Sequence, residues 1–368
     1  MTPEEIDLLS ELTIIIPTYN RPRELERSIE YWRDLPVTVH ILDGSEKPWF
    51  PLGPLENAQT INYHHIPAGK HQAPMESFFQ RVIFGSNLST TKFSAFGCDD
   101  DFYTIYGLVK SLEILESQPK INAVAGRVLT YEYKRRIVWH HKYVPRISRT
   151  DLETDLIEKK LATGSSWFLY AVCRTGIWQK FMKVCYEEKS FTKANFYAHE
   201  WMLFILCKGM FRTKYLDIIQ QIRQETVIDA NQPPDVPWAE FICNKQNAGL
   251  VDEIIEQLAS GFNQVTPEGE QPKNLELARE QMRLEQERAL RSKVTAHPSK
   301  TFRSVLGNIL FFLLPSLNIF SNRPRRLKYL WRIPKYQYSA EQQKEVEEIE
   351  KLLLKPSEEL RLRADILY

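Results

Sequence analysis

Two short apolar runs and the segment between them set the strongest limit on the fold of this chain. Residues 12–17 are rich in β-branched side chains and end at a proline, which is typical of a strand buried on both faces. Residues 23–32 carry apolar side chains at helical spacing, and residues 37–42 form a second apolar run. Strand, helix and strand in this order predict parallel strands joined by a crossover helix, and therefore an α/β fold.

A third apolar run, residues 93–98, stops at three consecutive carboxylates: Asp99, Asp100 and Asp101. Adjacent carboxylates repel one another unless a cation lies between them, and a hard divalent cation such as Mg²⁺ or Mn²⁺ prefers oxygen ligands. If the extended conformation continues through the triplet, Asp99 and Asp101 lie on one side and Asp100 on the other. An acidic turn or a helix N-terminus would explain the triplet equally well.

The second apolar run also ends at a carboxylate, Asp43. Parallel strands place their carboxyl ends at one edge of the sheet, where ligands of open α/β folds bind. We therefore expect Asp43 and the three later aspartates to surround one crevice. After a possible third strand at residues 61–66, Gly69 and Lys70 offer a backbone amide and an ammonium group to a diphosphate.

Composition excludes several classes of protein. The 368 residues can form one large core, or one core with a smaller appended domain. A net charge of +1 gives no overall signal for nucleic acid, and neither a Walker motif nor a Gly-x-Gly-x-x-Gly motif occurs. Five cysteines without a Cys-x-x-Cys pair favour a reducing compartment. A polar, acidic N-terminal segment without a signal-peptide pattern predicts a cytoplasmic protein.

Three motifs together resemble a known family. They are Ile15-Ile16-Pro17-Thr18-Tyr19-Asn20-Arg21, Asp43-Gly44-Ser45 and the Asp-x-Asp pattern within Asp99–Asp101. In order and spacing they resemble the family 2 glycosyltransferases. The resemblance implies a GT-A type, Rossmann-like mixed sheet flanked by helices, and a nucleotide-diphosphate sugar as donor.

The resemblance also implies roles for the residues of these motifs. Thr18 and Asp43 would approach the base and ribose, and Asp99 or Asp100 would face the ribose and diphosphate. Asp101, with Asp99 as its partner, would bind the Mg²⁺ or Mn²⁺ ion. The full set expected on the donor side is Pro17, Thr18, Tyr19, Asn20, Asp43, Ser45, Gly69, Lys70, Asp99 and Asp100.

The acceptor side is expected further along the chain. The resemblance implies that Gly164 lets a sugar acceptor approach the backbone, and Trp167 could stack on a sugar ring or pack in the core. His199 and Glu200 open an apolar helix and resemble the acidic pair of the family, with histidine in place of its first acid. Glu200 is the expected catalytic base, although a first-turn acid favoured by the helix dipole would look the same. His199 could orient the acceptor, contact phosphate or pack.

We expect two regions: a catalytic domain at residues 10–225 and a mostly helical C-terminal extension at residues 226–368. Residues 300–335 combine an apolar segment too short to span a bilayer with a basic, aromatic one. That combination suits a helix lying on an anionic membrane surface, and a core helix with a basic exposed face fits it equally well. The basic stretch could also hold a phosphorylated acceptor.

The resemblance therefore implies a metal-dependent, inverting glycosyltransferase. Its acceptor would be a glycan or lipid-linked molecule at the inner face of a membrane, in cell-surface polysaccharide synthesis, with no nucleic acid involved. A nucleotidyltransferase would use the same carboxylates and metal. A catalytically silent glycan-binding or scaffold protein could share the fold. The sequence leaves the donor sugar and the oligomeric state open.

Overall fold

The computed structural model describes residues 1–49, 59–67, 69, 74–132, 137–140, 152–162, 168–187, 196–224, 238–295 and 339–354. In chain order their helices and strands are α1 (Pro3–Ser10), β1 (Leu12–Thr18), α2 (Pro22–Trp32), β2 (Thr38–Asp43), β3 (Ile61–His65), α3 (Pro74–Leu88), β4 (Phe93–Phe96), β5 (Asp101–Tyr103), α4 (Ile105–Ser117), β6 (Ala123–Glu132), β7 (Ile137–His140), α5 (Ile157–Ala162), β8 (Val172–Arg174), α6 (Thr175–Glu187), α7 (Phe196–Met210), β9 (Thr213–Gln224), α8 (Trp238–Cys243), α9 (Ala248–Asn263), α10 (Pro272–Thr295) and α11 (Ala340–Leu354).

The described strands form one mixed sheet in the order β3-β2-β1-β4-β8-β6-β9-β5, with β7 paired to β6. Strands β1 to β4 run parallel to one another, and β8 lies antiparallel between β4 and β6. Helix α3 packs on β1 and β2, and α4 packs on β6 and β9. The predicted α/β class, a mixed sheet flanked by helices, is confirmed.

The first βαβ unit forms as the sequence pattern predicts. Ile14, Ile15 and Ile16 of β1 are all buried, so this strand is covered on both faces. Helix α2 begins with a proline in its first turn, where the missing N–H costs nothing, and it buries Leu25 and Ile29 in the same hydrophobic cluster as β1 and β2. This unit sets the positions of the C-terminal ends of β1 and β2, and therefore of the loops that follow these two strands.

The C-terminal helices share the core of the sheet. Helix α9 buries Val251, Ile254 and Leu258 against α6 and α7, in the same hydrophobic cluster as the strands. Helix α10 then packs along α9. The expected boundary near residue 225 lies in a stretch outside the described residues, so the division into two domains stays a prediction.

One predicted helix differs from the structure. The charged stretch at residues 151–160 predicts a helix, but the helix observed there is α5, which begins only at Ile157. Thr154 uses its hydroxyl to accept the Leu156 N–H at 3.1 Å, and this local bond favours a turn ahead of the helix. Residues 137–143 have the composition of a strand, and the structure describes this strand as β7 up to His140, with residues 141–143 outside the described part.

The segment at residues 300–335, for which a membrane-surface helix and a core helix were equally expected, also lies outside the described residues. Among the residues that are described, no helix has both the length and the apolar character needed to cross a bilayer.

Candidate active site

The ends of β1, β2 and β4 bring the predicted polar residues together. Thr18 and Asp43 are register partners at the carboxyl ends of two adjacent parallel strands. The Thr18 hydroxyl donates a hydrogen bond of 2.7 Å to Asp99 Oδ2, which follows β4 on the other side of β1. The expected meeting of distant acids at one edge of the sheet is thus observed.

Asp43 is held by donors from three directions. Its carboxylate is buried and accepts the backbone N–H of Ser45 at 2.9 Å and that of Trp49 at 3.3 Å. The Tyr63 hydroxyl of β3 donates to the same carboxylate, and burial together with this bond raises the pKa of Tyr63. Asp43 therefore organises the loop that follows β2 and keeps a fixed orientation at the edge of the crevice.

The turn after β1 is joined to the loop after β2. Asn20 adopts a positive φ of 53°, a left-handed conformation that asparagine tolerates better than most residues. Its N–H donates to Ser45 Oγ at 2.8 Å, while the neighbouring Tyr19 is half exposed. These two loops form one wall of the site.

Arg21 joins the first two aspartates of the triplet. Its Nη1 lies 2.7 Å from Asp99 Oδ1, and its Nη2 lies 2.6 Å from Asp100 Oδ2. Burial raises the pKa of Asp99 to about 7, against the opposing attraction of Arg21. Burial lowers the pKa of Arg21, but the carboxylates of Asp99 and Asp100 outweigh it and leave that pKa raised.

The extended conformation does not continue through the triplet. Asp99 and Asp101 were expected on the same side only if it did. The chain turns at Asp99 and Asp100, and the Asp101 N–H donates to the Cys98 carbonyl at 3.4 Å. Asp101 then begins β5, where Gln221 donates to its Oδ2 at 3.3 Å. Because of this turn, Asp99 and Asp100 both face Arg21, and Asp100 and Asp101 come close together.

This geometry gives one group of side chains that could hold a cation among the described residues. Ligand atoms of Cys98, Asp100 and Asp101 all lie within 4.8 Å of one another. Burial and the nearby carboxylates raise the pKa of the Cys98 thiol well above its usual value, so sulfur is a poor ligand here. The carboxylate oxygens of Asp100 and Asp101 remain as metal ligands, and oxygen ligands fit Mg²⁺ or Mn²⁺.

A cavity of about 180 Å³ opens beside Asp43 and Arg21. It is lined by Thr18, Asn20, Arg21, Pro22, Leu25, Asp43, Ser45, Lys47 and Trp49. Most of this lining comes from the two loops already described, and four of the residues expected on the donor side border the cavity: Thr18, Asn20, Asp43 and Ser45. Lys47 and Trp49 are lining residues that the sequence pattern did not indicate.

Arg81 is a second residue that the sequence did not indicate. It projects from α3, is buried, and donates to Ser77 Oγ at 2.5 Å. Its guanidinium lies against Gly44, where an added Cβ would be 2.3 Å from Arg81 Cζ. Because Gly44 has no side chain, the Asp43-Gly44-Ser45 motif leaves room for the positively charged Arg81 guanidinium next to Asp43. No local pattern in α3 marks this arginine, because its contact with Gly44 depends on the loop after β2, which is distant in sequence.

The remaining predicted residues are only partly located. His199 and Glu200 lie near the start of α7, but their side chains are outside the described part. Gly69 is described and exposed, whereas Lys70, Gly164 and Trp167 fall outside the described residues. The roles of these residues stay predictions.

No family model matches the sequence, and no curated protein matches it significantly. Similar solved structures include S. aureus TarS 1–349 in complex with UDP, at 13% identity and a TM-score of 0.43, with 78% of this chain and 92% of that chain covered. The same TarS fragment in complex with UDP-GlcNAc is 13% identical, with a TM-score of 0.40 and the same coverage of both chains. Another S. aureus TarS structure is 12% identical, with a TM-score of 0.42 and with 76% of this chain and 55% of that chain covered. At these scores the likeness assigns no activity to the chain.

Proposed function

We propose that this chain is a glycosyltransferase that moves a sugar from a nucleoside diphosphate sugar to a hydroxyl group of an acceptor. The observation that carries the proposal is the convergence of Thr18, Asp43 and the acidic triplet at adjoining strand ends, where Thr18 and Asp43 line a cavity. A nucleoside offers N–H and hydroxyl donors that buried carboxylates can accept. A diphosphate needs positive charge, which a divalent cation and arginine side chains can supply.

The donor roles follow from the positions of the acids. Asp43 and the loops around it suit the base and the ribose, because its carboxylate is fixed and borders the cavity. Asp99, held by Thr18 and Arg21, is assigned to the ribose side. Asp100 and Asp101 are assigned to an Mg²⁺ or Mn²⁺ ion, which would neutralise the charge that develops on the departing diphosphate.

The proposed reaction is a single displacement. The acceptor hydroxyl oxygen forms a bond to the anomeric carbon while the bond from that carbon to the diphosphate oxygen breaks, which inverts the configuration. Glu200 at the start of α7 takes the proton of the acceptor hydroxyl. Fixing both substrates in line contributes much of the remaining rate enhancement.

The acceptor is proposed to be a glycan or a lipid-linked molecule of a cell-surface polysaccharide. Gly164, Trp167 and His199 are assigned to the acceptor side by the resemblance. Contact of residues 300–335 with the inner face of a membrane is part of the same proposal.

The experiment is a turnover assay with nucleoside diphosphate sugars, in which release of the diphosphate is measured with Mn²⁺ and with chelator. UDP-GlcNAc is the first donor to try. We expect metal-dependent release that increases when a suitable acceptor is added. Glu200→Gln should lower kcat by about 10²- to 10⁴-fold with little change in donor affinity, because it removes only the proton acceptor.

Asp252→Asn is the matched control, since Asp252 is an exposed carboxylate of α9 far from the triplet in sequence. It should turn over like the parent protein. Release of pyrophosphate from a nucleoside triphosphate would instead favour a nucleotidyltransferase. Sugar binding without any turnover, unaffected by Glu200→Gln, would favour the silent glycan-binding protein.

A further inference from the structure

One guanidinium pairs with two carboxylates in the candidate site. Arg21 divides its two terminal nitrogens between Asp99 and Asp100, at 2.7 and 2.6 Å. The two carboxylate side chains are only 3% and 7% exposed, whereas the Arg21 side chain is 31% exposed. The acids are therefore enclosed, and the cation that pairs with them is the most accessible member of the group.

The two acids are held differently. Asp99 accepts Arg21 on one oxygen and the Thr18 hydroxyl on the other, so both of its oxygens are engaged. Asp100 accepts Arg21 at Oδ2 and also lies in the cluster with Asp101 that could hold a cation. Asp100 thus stands between two positive partners: the arginine and a divalent ion.

Arg21 and a divalent ion at Asp100 oppose each other. Both are positive, both use the same carboxylate, and the low exposure of the site weakens screening between them. With the guanidinium in its present place, a cation at Asp100 and Asp101 meets repulsion at close range. Arg21 therefore lowers the affinity of the empty site for metal.

The Arg21 guanidinium can also bind a ligand in the cavity. Its side chain lines the cavity together with Asp43 and Ser45, where a nucleoside diphosphate is proposed to bind. A guanidinium binds phosphate oxygens with two parallel N–H···O bonds, and this geometry matches the fork that now spans the two aspartates. A diphosphate entering the cavity offers Arg21 a replacement for its contact with Asp100.

We propose that Arg21 is an exchangeable counter-cation that couples nucleotide binding to metal binding. In the ligand-free protein it pairs with Asp99 and Asp100 and keeps the divalent ion out. When a nucleoside diphosphate binds, the guanidinium leaves Asp100 for the phosphate oxygens, and Asp100 becomes available to the metal beside Asp101. This inference rests on the proposed function, because it takes the cavity as the donor site.

The test is Mn²⁺ binding measured by electron paramagnetic resonance, without nucleotide and with saturating UDP, on Arg21→Gln, Arg21→Lys and Arg23→Gln. Arg21→Gln should bind Mn²⁺ alone at least about tenfold more tightly than the parent protein, because a competing charge is gone. The same variant should bind UDP without metal at least about tenfold more weakly, because a phosphate ligand is gone. These opposite changes would not follow from loss of folding.

The other two variants separate charge from geometry. Arg21→Lys keeps the positive charge, so its affinity for Mn²⁺ alone should stay near that of the parent, while its UDP affinity falls with loss of the fork. Arg23, exposed in the same helix turn, is the matched control, and Arg23→Gln should behave like the parent in both titrations.

Two results would overturn the inference, and they can be told apart. If the parent binds UDP and Mn²⁺ together but Arg21→Gln binds Mn²⁺ alone no more tightly, the counter-cation role is wrong while the donor site stands. If the parent binds neither UDP nor Mn²⁺ under any condition, the inference falls together with the proposed function.

Discussion

At the scale of single residues, two buried lysines brace the helix that carries Glu200. Lys160 of α5 donates to the Gly209 carbonyl in the last turn of α7 and to the Phe211 carbonyl just after it, and Lys208 of α7 donates to the Leu161 carbonyl of α5 at 3.1 Å. Each cation thus lies at the C-terminal end of the other helix, where the helix dipole favours positive charge. Burial lowers the pKa of both lysines to about 8.

This depressed pKa predicts how stability depends on pH. Between pH 8 and 10.5 the unfolded chain holds a proton on Lys208 that the folded protein has released, so the free energy of unfolding rises with pH in that window. A displacement of pKa from 10.5 to about 8 corresponds to about 3 kcal/mol across the full window. Glu285 of α10 partly offsets the effect of burial, and Arg288 adds to it.

We therefore expect the parent protein to gain stability relative to Lys208→Met between pH 7.5 and 10.5. Urea unfolding of both proteins at the two pH values measures the difference, in which all other titrating groups cancel. A difference that stays constant with pH would show that Lys208 does not titrate below its ordinary range.

Sequence reasoning located some site residues and missed others for a physical reason. Thr18, Asp43 and the triplet could be predicted because an apolar strand pattern stops at each of them. Arg21 lies in a recognised motif, but its two partners depend on the turn at Asp99 and Asp100, which no periodicity reveals. Arg81 is part of a helix whose pattern reports only packing, so its approach to Gly44 could not be foreseen.

At the scale of elements, the last described helix returns to the sheet. Helix α11 buries Ile349 and Leu353 in a second small cluster with Phe102 of β5 and Ile222 of β9. The Glu345 carboxylate accepts the first free backbone N–H groups of α4, those of Ile105 and Tyr106. A carboxylate from a distant part of the chain thus caps the helix that follows the strand of Asp101.

We expect Glu345→Ala to lower the free energy of unfolding by about 1–2 kcal/mol, the usual cost of losing a charged cap at a helix N-terminus. Glu345→Gln should lose less, because its amide oxygen can still accept one of the two bonds. Thermal unfolding of both variants beside Glu347→Ala, an exposed position of the same helix, measures this. Equal loss in Glu345→Ala and Glu347→Ala would contradict the cap.

The sequence predicted the described elements better than their arrangement. The sequence pattern located α2 and α7, because α2 has one apolar face and α7 has an apolar body. It could not place β8 between β4 and β6, since β8 has only three residues and its antiparallel pairing depends on long-range contacts. The shortened α5 has a local cause, the Thr154 hydroxyl, that competes with the helix pattern.

At the scale of the whole molecule, one hydrophobic core supports the candidate site. The cluster runs from Ile14 and Ile41 of the parallel strands through Trp178 of α6 to Phe262 of α9. The strand ends that carry Thr18, Asp43 and Asp99 are therefore anchored on rigid elements, as a precise binding site requires. The central claim is that this edge of the sheet binds a nucleoside diphosphate together with a divalent cation.

The measurement that tests this claim most directly is the melting temperature against a panel of nucleoside diphosphates, with and without Mn²⁺. A ligand at about 100 times its Kd stabilises the native state by about 2.7 kcal/mol, which raises the melting temperature by several degrees. We expect one diphosphate to stabilise the parent and Asp252→Asn most strongly with Mn²⁺, and Asp101→Asn to lose the metal-dependent part. A panel without any shift in the parent would contradict the account.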